Sequence, residues 1–503
     1  MTQTRPDFHQ TRSHAQLELG SSRGQAIQQH SLTAFGSMVW QHWGPGELPV
    51  AVDGFPRYPW SHLIPLFPQL DRKMTLALPC LGMDALSAGL REIGWDGFEI
   101  AYAYDIDESL APVLLHMHGP HANLHIGSRR GDFLACDVGE LPRVDFVIAG
   151  PPCPPFSSIG PSSCPENDPR ERVFRQVTKF LKSQGRKRCL GFIVEMVLGI
   201  AHRAREQSYY EVWFEELRRS APMFRMDTWL MNSKDYVPQH RPRLYTVGIL
   251  RELLGDAGIP PPMPVTSMRA SLGDALHKGM PPVDENMLTP HQRNNLNMTK
   301  PLLRTHLLER PFQFPCTPTT GALGRFQPPI ACFSVDRDFE KQFGQSMRWD
   351  DATPTLRTGN EMLWLLKFSE TGDLLVSRCL HPVERLALQG FPPELALIMS
   401  KKTLLRVTGN SFTAPVVTAV FRQCLAAITL YRSPITGAIT MSGSMQRPLE
   451  EMAVMLAKQR RINELRETIA ILDAELQLQE RQFQAMARNA GLGFGLDNLL
   501  WNI

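Results

Sequence analysis

The stretch Asp145–Gly160 reads DFVIAGPPCPPFSSIG and sets one thiol, Cys153, just past the apolar run Phe146–Ala149 and the stop Gly150-Pro151-Pro152. The run has the length and composition of a buried strand. Open α/β sheets bind ligands at the carboxyl ends of their strands, so Cys153 stands where a ligand would sit. Prolines on both sides restrict the backbone around it, which suits a rigidly held nucleophile. The other eight of the nine cysteines lack such a setting and read as small buried hydrophobes.

Other groups offer partners for that thiol. Gly82 follows an apolar segment and precedes a helical pattern, where a glycine lets a ligand approach a helix N-terminus. Asp105 and Asp107 end a second apolar run; an acid there binds ribose hydroxyls in nucleotide-type cofactors, or serves a solvated turn. Gly131-Asp132-Phe133 adds an acid beside an aromatic surface. Glu195 sits between Val194 and Met196, and a carboxylate in an apolar strand is costly without a partner. Arg241 and Arg243 lie two apart where PQHRPRLY (Pro238–Tyr245) enters a strand. Period two puts them on one face, where they could clamp a carboxylate or phosphate. Standing alone, they would be surface charge.

The elements that must position these groups alternate. Apolar segments at 75–79, 97–107, 146–149, 190–197 and 243–250 read as strands, and 81–94, 172–184 and 209–220 as helices. That rhythm predicts an α/β fold with a doubly wound, mainly parallel sheet. Residues 1–72 read as an irregular extension and 73–250 as the first part of the catalytic, cofactor-binding domain. Residues 251–345, rich in Pro, Asn, Thr and Met, are too long for a simple loop and read as an inserted smaller domain. Residues 346–432 close the first domain, with a turn and helix over 408–428. In 433–503 a Ser/Gly linker leads to a helix whose apolar residues, Met455 to Phe483, follow a heptad pattern. Residues 449–485 then form either a short coiled coil, for self-association or a partner helix, or an amphipathic helix packed on its own domain.

Composition narrows the class. A length of 503 residues with 43 % hydrophobic content supports about two to four domains with a substantial core. A net charge of +3 does not by itself argue for nucleic acid. The cysteines form no CxxC pairs, which speaks against a disulfide framework or a zinc site, and no metal is expected. No apolar run of about 18 residues predicts a membrane span, and the N-terminus lacks the apolar region of a secretory signal.

In series, the motifs resemble those of the S-adenosylmethionine-dependent cytosine-5 DNA methyltransferases over roughly residues 73–430. PPCPPFS resembles the family's nucleophile motif, NDPRERVF (Asn167–Phe174) its following helix, IVEMV its Glu-Asn-Val motif, and VPQHRPRLYTVGI its Gln-x-Arg-x-Arg motif. DDATPTLRTGN and HPVERLALQGFPPEL resemble the segments after the recognition region, and GNSFTAPVV the Gly-Asn motif that returns to the cofactor pocket. The resemblance implies a class I methyltransferase-like fold with 251–345 as target recognition domain. It implies a covalent step: Cys153 adds to carbon 6 of a flipped cytosine in double-stranded DNA, and carbon 5 then takes the methyl group. Glu195 would hold the ring nitrogen and exocyclic amine, Arg241 the base carbonyl, and Arg243 the nucleophile loop. Gly82, Met83, Asp105, Ile106, Asp132, Phe133, Pro152, Asn410 and Ser411 would line the S-adenosylmethionine pocket, and loop 154–168 would close over the base. The chain departs from the family in three places: Cys80-Leu81-Gly82-Met83-Asp84-Ala85 for Phe-x-Gly-x-Gly-Gly, Met196 for Asn, and Pro154 for Gln. Two other readings remain. An RNA methyltransferase on the same scaffold is disfavoured by the lack of that branch's Cys-Phe-Thr signature in 251–345. A catalytically silent scaffold is disfavoured by the joint presence of Cys153, Glu195, Arg241 and Arg243. The expected location is the nucleus in a eukaryote, the preferred reading, or the cytoplasm in a bacterium or virus.

Overall fold

The computed structural model describes residues 55, 57–68, 70, 72–120, 122–152, 171–201, 208–254, 258–262, 271–277, 285–309, 330–337, 347–348, 351–358, 362–369 and 371–431. Cys153, loop 154–168 and the tail helix at 449–485 lie outside the described residues. Residues 436–503 separate as a unit of their own, and all of them lie outside as well.

Seven strands form the main sheet in the order β3-β2-β1-β4-β5-β7-β6. They are β1 (Met74–Pro79), β2 (Phe98–Asp105), β3 (Leu124–Ile126), β4 (Phe146–Ala149), β5 (Gly191–Val197), β6 (Phe224–Asn232) and β7 (Pro242–Leu250). The first five pair in parallel; β7 runs antiparallel to both β5 and β6. Helices α1 (Ala85–Glu92), α2 (Ala111–His118) and α8 (Ala414–Tyr431) contribute to the core on one face. Helices α3 (Glu171–Arg186) and α4 (Tyr209–Ser220) cover the other. Burial on both faces explains why β4 (FVIA) and β5 (GFIVEMV) are almost continuously apolar rather than alternating. The alternation survives in which core each side chain joins. Phe146, Ile148 and Ile193 enter the α1/α8 core, whereas Val147, Ala149, Phe192, Val194 and Met196 enter the α3/α4 core.

Among the elements of the main sheet and its helices, three escaped the sequence reading. The strand β3 is only three residues long, α2 only eight, and β6 (FRMDTWLMN) is a half-exposed edge strand whose polar residues hide its pairing. The helix expected from Leu81 starts instead at Ala85, because Cys80, Gly82 and Asp84 all take left-handed backbone conformations.

A second, four-stranded sheet has the order β11-β10-β8-β9, from β8 (Ala331–Ser334), β9 (Met347–Arg348), β10 (Leu363–Phe368) and β11 (Leu374–Cys379). Its two faces serve different cores. Cys332, Leu363 and Leu365 pack into the main core, whereas Phe333, Trp364 and Leu366 pack on Leu296 and Leu303 of α5 (Pro290–Glu309). The boundary placed at 345/346 falls inside this sheet. LWLLKF carries apolar residues on both faces, so its pattern did not announce which sheet it joined. A buried, two-pronged pair, Arg378 to Glu384 at 2.6 and 2.9 Å, ties β11 to α6 (Glu384–Gln389).

Beyond α6, α7 (Lys401–Asn410) and α8 form the stretch Lys401–Ile428, which is long and apolar enough to cross a membrane by length and composition. The sequence reading found no such run; 89 % of its most apolar window is buried in the fold, as in the core helix of a soluble protein.

Trp364 is fully buried, and its indole N–H donates to Ser377 Oγ at 3.1 Å. Trp364→Ala should cost about 3–5 kcal/mol in denaturant unfolding. A loss under about 1 kcal/mol would show that the second sheet does not depend on this core.

Candidate active site

The carboxyl ends of β1, β2, β4 and β5 meet at one edge of the sheet, and the strand order reverses between β1 and β4. Ligands bind at such switch points. Gly150 ends β4 there: a Cβ on it would lie 2.5 Å from the Phe412 ring and 3.6 Å from the Cys80 carbonyl, so only glycine lets these segments close. The chain is described as far as Pro152, half-buried, one residue short of Cys153.

Glu195 lies on β5 opposite Tyr245 of β7, and Arg243 is two residues along from Tyr245 on the same face. Glu195 is 5 % exposed, and its Oε1 lies 3.2 Å from Arg243 Nε. The contact is electrostatic and out of line for a hydrogen bond: neither atom has a hydrogen-bond partner among the described residues. Burial pushes the Glu195 carboxyl above the ordinary range, and Arg243 and Arg241 only partly oppose it. A buried acid held towards its protonated form, with an oxygen unbonded, can donate to and accept from a planar heterocycle.

Arg241 behaves differently from the expectation that it meets the base. It is 3 % exposed, and its guanidinium donates to three backbone carbonyls: Leu356 (3.3 Å), Gly409 (3.2 and 3.1 Å) and Ser411 (2.7 Å). It clamps the turn between α7 and α8 onto the start of β7. Neighbouring contacts extend the clamp. Gln239 Nε2 donates to Leu388 O at 2.8 Å, and Leu356 N donates to Gln239 Oε1 at 3.3 Å. Arg243, assigned from sequence to the nucleophile loop, is the arginine that faces Glu195.

The other end of the site is built on β1 and β2. Among the described residues Gly82, at φ +58°, has no heavy atom within 4 Å of where a Cβ would stand, so they leave the space beside the α1 N-terminus open. Gly82 N donates to Asp105 Oδ2 at 2.8 Å, and Asp107 N donates to Oδ1 at 2.9 Å. Burial raises the Asp105 carboxyl above its usual range, against these two bonds. Asp107 is otherwise engaged: it caps Ser109 and pairs with Arg406 at 2.8 Å, which leaves Asp105 as the acid facing the site. Ile106 is 61 % exposed beside it. Asp132 accepts from Leu134 N at 3.0 Å. Asn410 is exposed, whereas Ser411 is buried with an Oγ that has no partner among the described residues. Met83 and Phe133 are core residues; Phe133 packs on Tyr104 and Phe180 with ring centroids 5.6 Å away, so neither offers its side chain to a pocket.

Comparison with known proteins matches residues 80–426 to the family described as C-5 cytosine-specific DNA methylase. The chain belongs to this family. Its methyltransferase relatives include Orphan methyltransferase M.SPRI of Bacillus phage SPR, 32 % identical over 174 residues, or 34 % of this chain and 37 % of that protein. Type II methyltransferase M.NlaX of Neisseria lactamica is 20 % identical over 355 residues, 69 % of this chain and 95 % of that protein. The matched stretch spans about a third of the two phage relatives, 37 % and 32 %. A solved structure of S. pombe Dnmt2 methyltransferase shares 15 % identity at a TM-score of 0.43, over 70 % of this chain and 99 % of that one.

Within the methylase family's frame the departures find physical places. Met196, where the family has Asn, points into the α3/α4 core and is fully buried. Asp84, where the family has Gly, is a left-handed, buried helix cap. Sequence reasoning assigned no role to Phe412, Gln239 or Arg406, although Gln239 stands first in the Gln-x-Arg-x-Arg motif. Phe412 was visible as the aromatic inside GNSFTAP, but the partners of the other two lie more than 100 residues away.

The two arginines should separate in unfolding experiments. Arg241→Ala strands three carbonyls around a buried void and should cost about 2–4 kcal/mol. Arg243→Ala should cost far less, because Glu195 can stay protonated when its cation is removed. Equal losses in denaturant unfolding would contradict this division.

Proposed function

We propose that the chain transfers a methyl group from S-adenosylmethionine to carbon 5 of cytosine in double-stranded DNA, through a covalent adduct of Cys153. The observation that carries the reading is Glu195, a buried carboxyl biased towards its protonated form, with an unbonded oxygen, beside Arg243 and one strand away from the strand that leads to Cys153. Addition of the Cys153 thiolate to carbon 6 pushes electron density onto the ring nitrogen. A protonated Glu195 can neutralise that charge and accept from the exocyclic amine, and Arg243 suits the adjacent base carbonyl. Carbon 5 then attacks the methyl carbon; loss of its proton and expulsion of the thiolate restore the ring. The cytosine must leave the stack for this, so the reading includes base flipping.

The residues present fit the cofactor. The open space at Gly82, the Asp105 carboxyl, the exposed Ile106 and the orphaned Ser411 Oγ offer a backbone cradle, a ribose acceptor, an apolar surface and a spare hydroxyl. When bound, S-adenosylmethionine supplies an electrophilic methyl group. Residues 251–345, with α5 and β8 among their described elements, are the proposed target recognition domain; the exposed Asn294 is a side chain able to read base edges, whereas the Arg293 guanidinium donates to the Glu285, Asn286 and Leu288 carbonyls. The tail at 449–485 is proposed for self-association through its heptad seam.

Incubation with labelled methyl donor and either duplex DNA or transfer RNA, followed by bisulfite sequencing, tests the reading. Label at cytosine in duplex DNA supports it, and label in RNA alone overturns the choice of substrate. Cys153→Ser should abolish transfer and leave donor binding nearly intact; full activity in that variant would remove Cys153 from the mechanism.

Glu195→Gln should cut turnover roughly 10²- to 10⁴-fold. The raised Glu195 pKa also predicts a stability difference between these proteins. The folded state keeps the Glu195 proton to higher pH than the unfolded state, so wild type loses this contribution as pH rises through the folded value. Below the unfolded value the contribution is fully present. Glutamine cannot ionise, so the melting temperature of Glu195→Gln should gain on wild type as pH rises above the ordinary carboxylate range. A gap that is constant or shrinks as pH rises would show that Glu195 is already ionised in the fold.

A further inference from the structure

The segment from Cys80 to Asp84 joins β1 to α1 with three left-handed residues in five, two of them not glycine: Cys80 (φ 56°), Gly82 (φ 58°) and Asp84 (φ 49°). Glycine takes such a conformation freely, whereas other residues hold it only when their surroundings over-determine it. The surroundings of Asp84 are specific. Its side chain is 1 % exposed, Oδ1 accepts from Ser87 N at 3.0 Å, and Oδ2 lies 2.7 Å from Nε2 of His118, itself 3 % exposed. His118 is the last residue of α2. Its other ring nitrogen, Nδ1, lies 3.3 Å from Arg91 Nη2 on α1. A guanidinium only donates, so Nδ1 is the accepting atom of that contact, and Nε2 is the ring nitrogen that faces the Asp84 carboxylate. The contact at Oδ2 is close, and it helps hold the Asp84 carboxyl below its ordinary range against the burial that would raise it.

The turn is thus held on two sides. Asp105, at the end of β2, fixes Gly82 through its backbone N–H, and His118 fixes Asp84 from the helix that follows β2. Between them lies Met83, whose side chain is locked in the core, next in sequence to the open space at Gly82. We propose that His118 is a positioning residue for the methyl donor: by pairing with Asp84 it holds the Gly82–Asp84 turn in its left-handed, binding-competent shape. This rests on the cofactor site proposed above. Without His118 the buried carboxylate loses its neighbour, the turn gains competing conformations, and donor affinity falls by the fraction of time the turn is misplaced. A glycine at position 84 would need no such partner.

The test is isothermal titration of the full chain with S-adenosylhomocysteine, together with melting temperatures. Wild type, His118→Leu and the double variant Asp84→Gly/His118→Leu are compared. The single variant should bind about tenfold or more weakly, and the double variant should return to within about threefold of wild type, because glycine restores the turn without the pair. In steady state, His118→Leu should raise KM for the donor while kcat on saturating DNA changes less than about twofold. Wild-type affinity in His118→Leu overturns the proposal. So does weak binding by the double variant, which would mean that the histidine acts by something other than Asp84. Should the single variant fail to fold, the double variant decides alone, by the same threefold criterion. A wild-type chain that does not bind S-adenosylhomocysteine would overturn the cofactor site, and this inference with it.

Discussion

The site depends on the direction of one strand. In a sheet whose other central strands run parallel, β7 enters between β5 and β6 the opposite way, so its first residues lie beside the last residues of β5. Arg243 pairs with Val197 in register and so reaches Glu195 on the next pleat. A parallel β7 would carry Arg243 about 20 Å away, to the far end of a strand of this length. Because the strand is reversed, residues that are nearly 50 apart in sequence form a buried acid and cation at the edge where β4 delivers the chain towards Cys153. The pair does not cancel. Burial raises the cost of ionising Glu195 more than the two arginines lower it, and the out-of-line contact leaves Oε1 able to bond elsewhere.

The same reversal explains Arg241. It sits two residues before Arg243, still in the approach to β7, and Asn232 at the end of β6 accepts its backbone N–H at 3.0 Å. From there the guanidinium reaches carbonyls at 356, 409 and 411. One buried cation therefore joins the first part of the domain to the turn that returns after the second sheet. Ser411 and Phe412 owe their places to that clamp, and Phe412 in turn fills the space left by Gly150. Two arginines that look alike in sequence thus make different contacts, one with backbone carbonyls and the other with Glu195.

How much of this was legible follows from the range of each interaction. The Rossmann-like alternation was clear because β1, β4, β5 and α4 carry strong local patterns with Gly, Pro or cap residues at their ends. Ser208, for example, forms a capping box with Glu211 at the first turn of α4. Glu195 stood out because a carboxylate in an apolar strand has few inexpensive explanations. The arginine roles were not legible, since the sequence spacing of two describes a shared face and says nothing of which partner waits there. Met83 and Phe133 were placed in the pocket by motif position, but the left-handed turn around Met83 and the ring packing of Phe133 turn their side chains into the core. The second sheet was misdivided at 345 because β10 is apolar on both faces. Asp84 was legible only as a departure from the family pattern; its partner, His118, came from a helix that the sequence reading had passed over.

The account rests on Cys153 and Glu195 acting on one cytosine drawn out of duplex DNA. The most direct measurement uses a duplex with 5-fluorocytosine at the methylated position, since fluorine blocks release of the thiolate from the methylated ring. The chain is incubated with this duplex and S-adenosylmethionine, digested, and the DNA-linked peptide identified by mass spectrometry. The account predicts a denaturant-resistant adduct that requires the methyl donor and maps to Cys153. Absence of any adduct on a duplex whose unfluorinated form is methylated, or an adduct at a different residue, would contradict it.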